Sequence, residues 1–331
     1  MEKETTFGDA ELRQGLKRAL ATTGTPPPLE LRRRPSEYRS SFPLEELDLG
    51  MEDGTEVRLA FKQLGWSALN HEARLAKPRF LHDPRREEAV YASVLAPIAL
   101  GSPRYYGSTV EPESDRYWLF VEWVEGRELY QVGDRAVWEE VARWLGQMHL
   151  QLGEDVEGHS ERGRLLAYDA THYRRWINRA REFSRASGQP ASRSRSVDWL
   201  AQRYEAVVEG MLAFPRTVIH GEFYASNVLV VGEAPTRVSP LDWELAATAP
   251  GLVDLAALIS GGWGVEDRDA IVGAYRSAVG PEAFSQSQLD LVRLQLAVQW
   301  LGWAPPSWIP PEGQRHDWLG EALALAESLG L

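Results

Sequence analysis

The sequence predicts an α+β protein of two lobes, a small sheet-rich lobe followed by a larger, mainly helical one. Three observations carry this reading. The chain has 331 residues, enough for two units that each bury a core. Strand-like runs gather before residue 124, and helical spacing dominates the large central and C-terminal stretches that follow. Between them, the apolar run over 117–124 (YWLFVEWV) stops at Gly126, which marks a hinge.

Taken in order, Asp9 is placed to cap a helix whose apolar positions are Leu12, Leu16, Ala19 and Leu20, ended by Gly24 and the prolines at 26, 27 and 28. Residues 29–31 and 44–49 read as strands, and Asp53-Gly54 is a hairpin signal before the run 56–64. In that run Val57, Leu59 and Phe61 face one way, and Arg58, Ala60 and Lys62 the other. The small lobe, 1–124, is thus expected to be an antiparallel sheet with one helix. Residues 85–95 have helical spacing with Val90, Val94 and Leu95 buried.

The larger lobe, 125–331, opens with a helix from Asp134 onward, in which Trp138, Val141, Leu145, Met148 and Leu152 face a second core. Residues 184–196 (SRASGQPASRSRS) lack periodicity and read as a loop, either a solvated connector between two helices or a substrate lid. Residues 252–331 are mostly helical, with a Trp- and Pro-rich break over 303–311. The stretch 245–331 holds ten acidic and four basic residues, a local excess that suits either an aminated acceptor or solvated helix faces.

Composition closes several routes. A net charge of -12 argues against a nucleic-acid partner, because phosphate neutralisation needs a cationic face. The absence of cysteine excludes disulfides, thiolate metal sites and cysteine nucleophiles. No apolar stretch reaches membrane-spanning length and the N-terminus has no apolar signal region, so a soluble cytoplasmic protein is expected. Only four of the 36 basic residues are lysines (Lys3, Lys17, Lys62, Lys77), which draws attention to any lysine at a chemically pointed position.

One short segment asks for a chemical explanation. Residues 220–227 (HGEFYASN) join two strand-like runs, and core packing alone does not call for His220, Glu222 and Asn227 there. Asp242 follows fifteen residues after Asn227, in the segment Leu241-Asp242-Trp243-Glu244. Carboxylate and amide oxygens are hard ligands suited to Mg²⁺, and Mg²⁺ without a full protein cage usually shares phosphate oxygens with a substrate. Phosphoryl transfer further needs a cation on the phosphates and a group that orients the attacking hydroxyl. Lys62 is the candidate cation, two residues after the small Ala60, which leaves room for an adenine ring on that face. Glu87 or Glu88 begins the helix that could supply its partner, with Glu87 favoured by Tyr91 four residues later.

At these residues the chain resembles the aminoglycoside phosphotransferase and choline kinase family, the small-molecule branch of the protein-kinase-like fold. The family's H-G-D-x-x-x-x-N loop stands here as HGEFYASN, its metal-binding D-x-E as Asp242-Trp243-Glu244, and the following D-L-A as Asp254-Leu255-Ala256. Residues 59–62 (LAFK) resemble the kinase V-A-I-K strand, and 120–126 (FVEWVEG) resemble the adenine-binding hinge. The resemblance implies a protein-kinase-like two-lobed fold that uses ATP or GTP, Mg²⁺ and a hydroxyl acceptor.

Carried onto this sequence, it gives Lys62 and its partner Glu87 to the α and β phosphates, and Asn227 and Asp242 to the metal. Glu222 orients the acceptor, and His220 fixes the loop. Glu122, Trp123 and Val124 form the hinge, and Tyr38, Ser40 and Ser41 lie over the phosphates. Asp254 stabilises the loop from a helix N-terminus. Two departures stand out: Glu222 replaces the family aspartate, and no G-x-G-x-x-G precedes Lys62. Three functions stay open: phosphorylation of a small molecule such as an antibiotic or other natural product, phosphorylation of Ser or Thr in a peptide, and a nucleotide-binding module without catalysis.

Overall fold

A computed structural model describes residues 7–36, 38, 41–98, 100–186, 189–232, 236–305, 307 and 316–331. The chain begins with helix α1 (Asp9–Thr22), followed by strands β1 (Glu30–Pro35), β2 (Leu44–Gly50) and β3 (Glu56–Gln63). Short helices α2 (His71–Ala76) and α3 (Arg86–Val90) lead to β4 (Tyr105–Glu111) and β5 (Arg116–Glu122). The five strands form one antiparallel sheet in the order β1-β2-β3-β5-β4. The β2–β3 hairpin turns at Gly54, whose φ of 81° is the left-handed conformation that glycine adopts without cost.

Alternation along β3 sends Leu59 and Phe61 to one face, where they are fully buried with Leu47, Leu49, Trp118 and Phe120. An uncovered apolar face of that size would not be stable in water, and α1 covers it with Leu12, Leu16, Ala19 and Leu20. Among the described residues the small lobe has three α-helices: α1 on the outer face and α3 behind Lys62, where helical spacing is read in the sequence, and α2 in a segment whose spacing gives no signal. The helix α1 begins differently too. Gly8 is its cap, and Asp9 lies in the first turn with its carboxylate 3.0 Å from Arg33.

Two other expectations shift. The helix predicted over 85–95 is α-helical only to Val90 and widens into a π-helical turn over Tyr91–Leu95, with Val94 and Leu95 still buried. Apolar spacing does not encode that change of winding. The first strand lies later than expected, at Glu30–Pro35, because its partner β2 pairs Glu30 with Gly50 and Pro35 with Glu45.

The chain then enters the larger lobe through β6 (Arg127–Glu128), α4 (Arg135–Leu152), α5 (Val156–Gly163), β7 (Leu166–Ala167), α6 (Ala170–Ser184) and α7 (Ala191–Leu212). Asp134 caps α4, and Trp138, Val141, Leu145, Met148 and Leu152 are buried as predicted. The loop expected over 184–196 is shorter: α6 runs to Ser184 and α7 starts at Ala191, with residues 187 and 188 outside the described ones. Serine and arginine continue a helix when its buried stripe starts at Val197 and Leu200.

Strands β8 (Thr217–Ile219), β9 (Val228–Val231), β10 (Arg237–Pro240) and β11 (Ala247–Ala249) follow, and form two small sheets in the orders β10-β9-β6 and β7-β11-β8. Helices α8 (Leu252–Leu258), α9 (Val265–Val279), α10 (Gln286–Leu301) and α11 (Trp318–Ser328) complete the lobe. Among the described residues, no helix is long and apolar enough to cross a membrane.

Candidate active site

Residues 220–227 leave β8 and return into β9, so two short paired strands fix both ends of the loop. Gly221 has a φ of 86°, and a Cβ there would come within 2.3 Å of the Leu245 carbonyl oxygen. The loop backbone thus lies directly on the segment that carries Asp242 and Glu244. Asp254, in the first turn of α8, holds the loop from below: its carboxylate accepts the N–H groups of His220 at 2.7 Å and Gly221 at 2.9 Å. His149 reaches the same carboxylate at 3.3 Å and Tyr275 at 2.9 Å.

His220 is fully buried. Its Nε2 lies 2.7 Å from the Leu241 carbonyl, and its Nδ1 accepts the Glu222 N–H at 3.2 Å, which defines the neutral tautomer with the proton on Nε2. Burial pushes its pKa down, in keeping with that tautomer. It ties the loop to the start of the Asp242 segment. Both ring nitrogens are occupied, so it is a positioning residue here.

Asp242 has a φ of 66°, an uncommon conformation outside glycine and one that aspartate tolerates better than most. Its carboxylate pairs with Lys62 Nζ, which also donates to Glu87 Oε2 at 2.7 Å. Strand β3 of the small lobe, helix α3 and the Asp242 turn of the large lobe therefore meet at one ammonium. Burial alone would depress the Lys62 pKa, but Asp242, Glu87 and Glu244 outweigh it and push the value up. Asp242 stays below the usual carboxylate range because the Lys62 cation overcomes burial. Glu87, buried behind the lysine, is pushed up by desolvation. Glu88 does not take part in this pair.

A cleft of about 850 Å³, counting its open mouth, lies between the lobes and is lined by residues of both. Of the residues singled out from the sequence, Tyr38, Ala60, Lys62, Glu87, Glu122, Trp123, Val124, Asn227 and Asp242 line it. Ser40 lies outside the described residues, and Ser41 is off this wall, its carbonyl accepting the Asn70 N–H at 3.0 Å. The Glu122 side chain faces Arg237, held at 2.7 and 2.8 Å, so its carboxylate braces the hinge. The Trp123 N–H goes to the Arg58 carbonyl at 3.1 Å, whereas the Val124 N–H has no hydrogen bond among the described residues.

Asn227 donates from Nδ2 to the Glu222 carbonyl at 2.9 Å, which leaves Oδ1 as its outward donor atom. Glu222 and His220 are not among the residues that line this cleft; Glu222 has Glu244, Lys77, Asp242 and Lys62 as its charged neighbours. Its carboxylate makes no hydrogen bond or ion pair among the described residues, and burial together with the nearby Glu244 carboxylate pushes its pKa up to about 8. Two features have little or no trace in the sequence. Lys77, buried, pairs with Glu244, and Arg86 donates to the carbonyls of Leu81 at 2.8 Å and Glu244 at 2.7 Å. The rarity of lysine is the one signal for Lys77. For Arg86 there is none, since its partners are backbone carbonyls.

The two-lobed arrangement, with charged side chains from a sheet and from a helical lobe meeting in one cleft, is that of the protein-kinase-like fold. The phosphotransferase enzyme family model matches residues 66–291. The chain belongs to that family and is a phosphotransferase with an alcohol group as acceptor. Solved structures agree on the fold. A choline kinase from Streptococcus pneumoniae matches with a TM-score of 0.57 and 14% identity, over 97% of this chain and 99% of its own. An aminoglycoside 3'-phosphotransferase of type VIII matches with a TM-score of 0.52 and 19% identity, over 85% and 97%. A GDP complex of an aminoglycoside 2'-phosphotransferase of type IIIa matches with 0.57 and 13%, over 93% and 95%. A comparison with curated protein sequences finds no match.

Proposed function

We propose that the chain transfers the terminal phosphoryl group of ATP, or alternatively GTP, to a hydroxyl of a small molecule such as an antibiotic or other natural product. The observation that carries this reading is the meeting of Lys62, Glu87 and Asp242 at one ammonium beside an open cleft. The base would lie between Ala60, Val121 and Leu229, with the Val124 N–H as its donor from the hinge. The small lobe, 1–124, would then supply the nucleotide's roof, and 125–331 the loop and acceptor wall. Lys62, kept in place by Glu87, binds the α and β phosphates, and Tyr38 on the same cleft wall lies over the nucleotide.

The donor atoms fit Mg²⁺: the Asp242 carboxylate and Asn227 Oδ1 are two hard oxygens on one wall of the cleft, and the phosphates complete the set. Mg²⁺ held by Asp242 and Asn227 would supply neutralisation of the phosphate charge. Glu222 accepts a hydrogen bond from the acceptor hydroxyl. As the hydroxyl oxygen bonds to the terminal phosphorus, the bond to the bridging oxygen of the leaving diphosphate breaks, and the hydroxyl proton passes to Glu222 in its ionised form, which becomes populated as pH rises towards about 8. The longer reach of glutamate suits a reaction that depends on orientation more than on a strong base. Tyr224, whose hydroxyl accepts from Trp300 Nε1 at 2.8 Å, and Trp303 give the acceptor an apolar wall.

The test is transfer itself. Enzyme, Mg²⁺ and γ-labelled ATP or GTP are incubated with a panel of hydroxyl compounds and with small-molecule cell extract, and products are read by mass spectrometry. A small molecule that gains one phosphate is the expected result. Labelling confined to added peptides would move the function to Ser or Thr phosphorylation, and nucleotide binding without any transfer would leave a silent module.

A further inference from the structure

Lys77 is a buried ammonium that the phosphoryl-transfer scheme does not use. It lies just after α2, in the segment between β3 and α3, and its partner Glu244 is two residues beyond Asp242. The two lysines form a matched set. Lys62 pairs with Asp242 and Lys77 with Glu244, and both ammoniums approach the ring of Phe42, at 5.4 and 5.2 Å. Phe42 lies just before β2, so the two cations gather at a single ring.

The segment bearing Lys77 is fixed from both sides. Asn70 caps α2 by accepting the Ala73 N–H at 2.7 Å, and Arg86 grips the Glu244 carbonyl at 2.7 Å. Burying a lysine is costly unless it is paired, and an aliphatic side chain would fill the same space more cheaply. A second cation here has a chemical use, because a nucleoside triphosphate carries a terminal phosphate beyond the α and β phosphates that Lys62 meets. Lys62 must exchange Asp242 for phosphate oxygens when nucleotide binds, and the parallel pairing gives Lys77 the same exchange.

We infer that Lys77 is a second phosphate ligand of this site: it holds Glu244 in the nucleotide-free enzyme and turns to the terminal phosphate of a bound nucleoside triphosphate. This rests on the nucleotide reading of the cleft. It separates Lys77 from residues that merely stiffen the lobe contact, since only a ligand of the terminal phosphate distinguishes triphosphate from diphosphate.

The experiment is calorimetric binding of ADP and GDP and of their β,γ-imido triphosphate analogues, in Mg²⁺ buffer, to the full chain and to Lys77→Met. The expected result is a loss of about tenfold or more in triphosphate affinity, the scale of one hydrogen bond to a charged group, with diphosphate affinity unchanged. Lys77→Gln keeps a polar head that can bond Glu244 and gives the same change in ratio should the Met variant fold poorly. Equal weakening of both ligands, or no change in either, overturns the inference. If the unmodified chain binds none of the four nucleotides, the nucleotide reading itself fails.

Discussion

The two faces of β3 obey opposite rules. On the outer face Leu59 and Phe61 are fully buried against α1, and Phe61 stacks on Phe120 with centroids 5.0 Å apart. On the inner face Ala60 leaves space and Lys62 carries a charge into the interior. One strand thus contributes stability from one side and, on the proposed function, chemistry from the other, and side chains one residue apart should report on different properties.

The largest effect should come from the inner face. Asp242→Asn keeps a side chain that tolerates the left-handed backbone at this position, removes the charge, and leaves Lys62 to Glu87 alone. Turnover is expected to fall on the order of a thousandfold, the scale of removing one well-placed electrostatic partner, with the circular dichroism spectrum unchanged. Steady-state rates at saturating Mg²⁺ and nucleotide check it; near-normal turnover would remove Asp242 from the reaction.

The outer face should respond in the opposite sense. Phe61→Ala opens a void between α1 and the sheet and is expected to cost about 3–5 kcal/mol of stability. Denaturant unfolding reads the cost, and kcat of the folded fraction should stay close to that of the parent. If Phe61→Ala lost activity as steeply as stability, the separation of the two faces would not hold.

A smaller effect sharpens the same contrast through pH. Burial and Glu244 raise the Glu222 carboxyl to about 8 in the folded chain, whereas in the unfolded chain it returns to an ordinary carboxyl value. Below the unfolded value both states are protonated and Glu222 costs nothing. Between the two values the folded state holds a proton that the unfolded state has lost, so stability declines as pH rises towards 8. The melting temperature of the nucleotide-free protein should therefore fall between pH 6 and 8, and Glu222→Gln should flatten the slope. A rise over that interval would contradict the assigned environment. Lys62 acts in the same direction but only at higher pH: its folded value is raised, so the stability it contributes is lost only as pH climbs above the ordinary lysine value.

The same contrast explains which features are legible in the amino-acid sequence. Alternation exposes both faces of β3, and the 3.6-residue period exposes the buried stripe of α4, because burial repeats along the chain. The segment 220–227 and Asp242 are legible because charged and amide side chains sit on short turns between apolar strands. The segment from 65 to 84 is not. Its helix is six residues long, too short for periodicity to show, and Lys77 and Arg86 are defined by partners 167 and 158 residues away. Pairing across that distance leaves no local trace. The end of the predicted loop near 191 is misplaced for a related reason, since helix α7 starts a full turn and more before its first buried residue.

The smallest effect belongs to the outer rim, where charges face water. Asp9 meets Arg33 at 3.0 Å, but its side chain is 75% exposed and Arg33 is also gripped by Glu45 at two 2.7 Å contacts. Removing Asp9 leaves Arg33 paired, and solvent screens what is lost. The remaining contribution is the favourable placement of an acid in the first turn of α1, so Asp9→Ala should cost less than about 1 kcal/mol. Thermal unfolding at low and high salt checks both parts: the difference from the parent should shrink as salt rises. A salt-independent loss would instead mean that Asp9 contributes to seating α1 on the sheet by contacts other than charge.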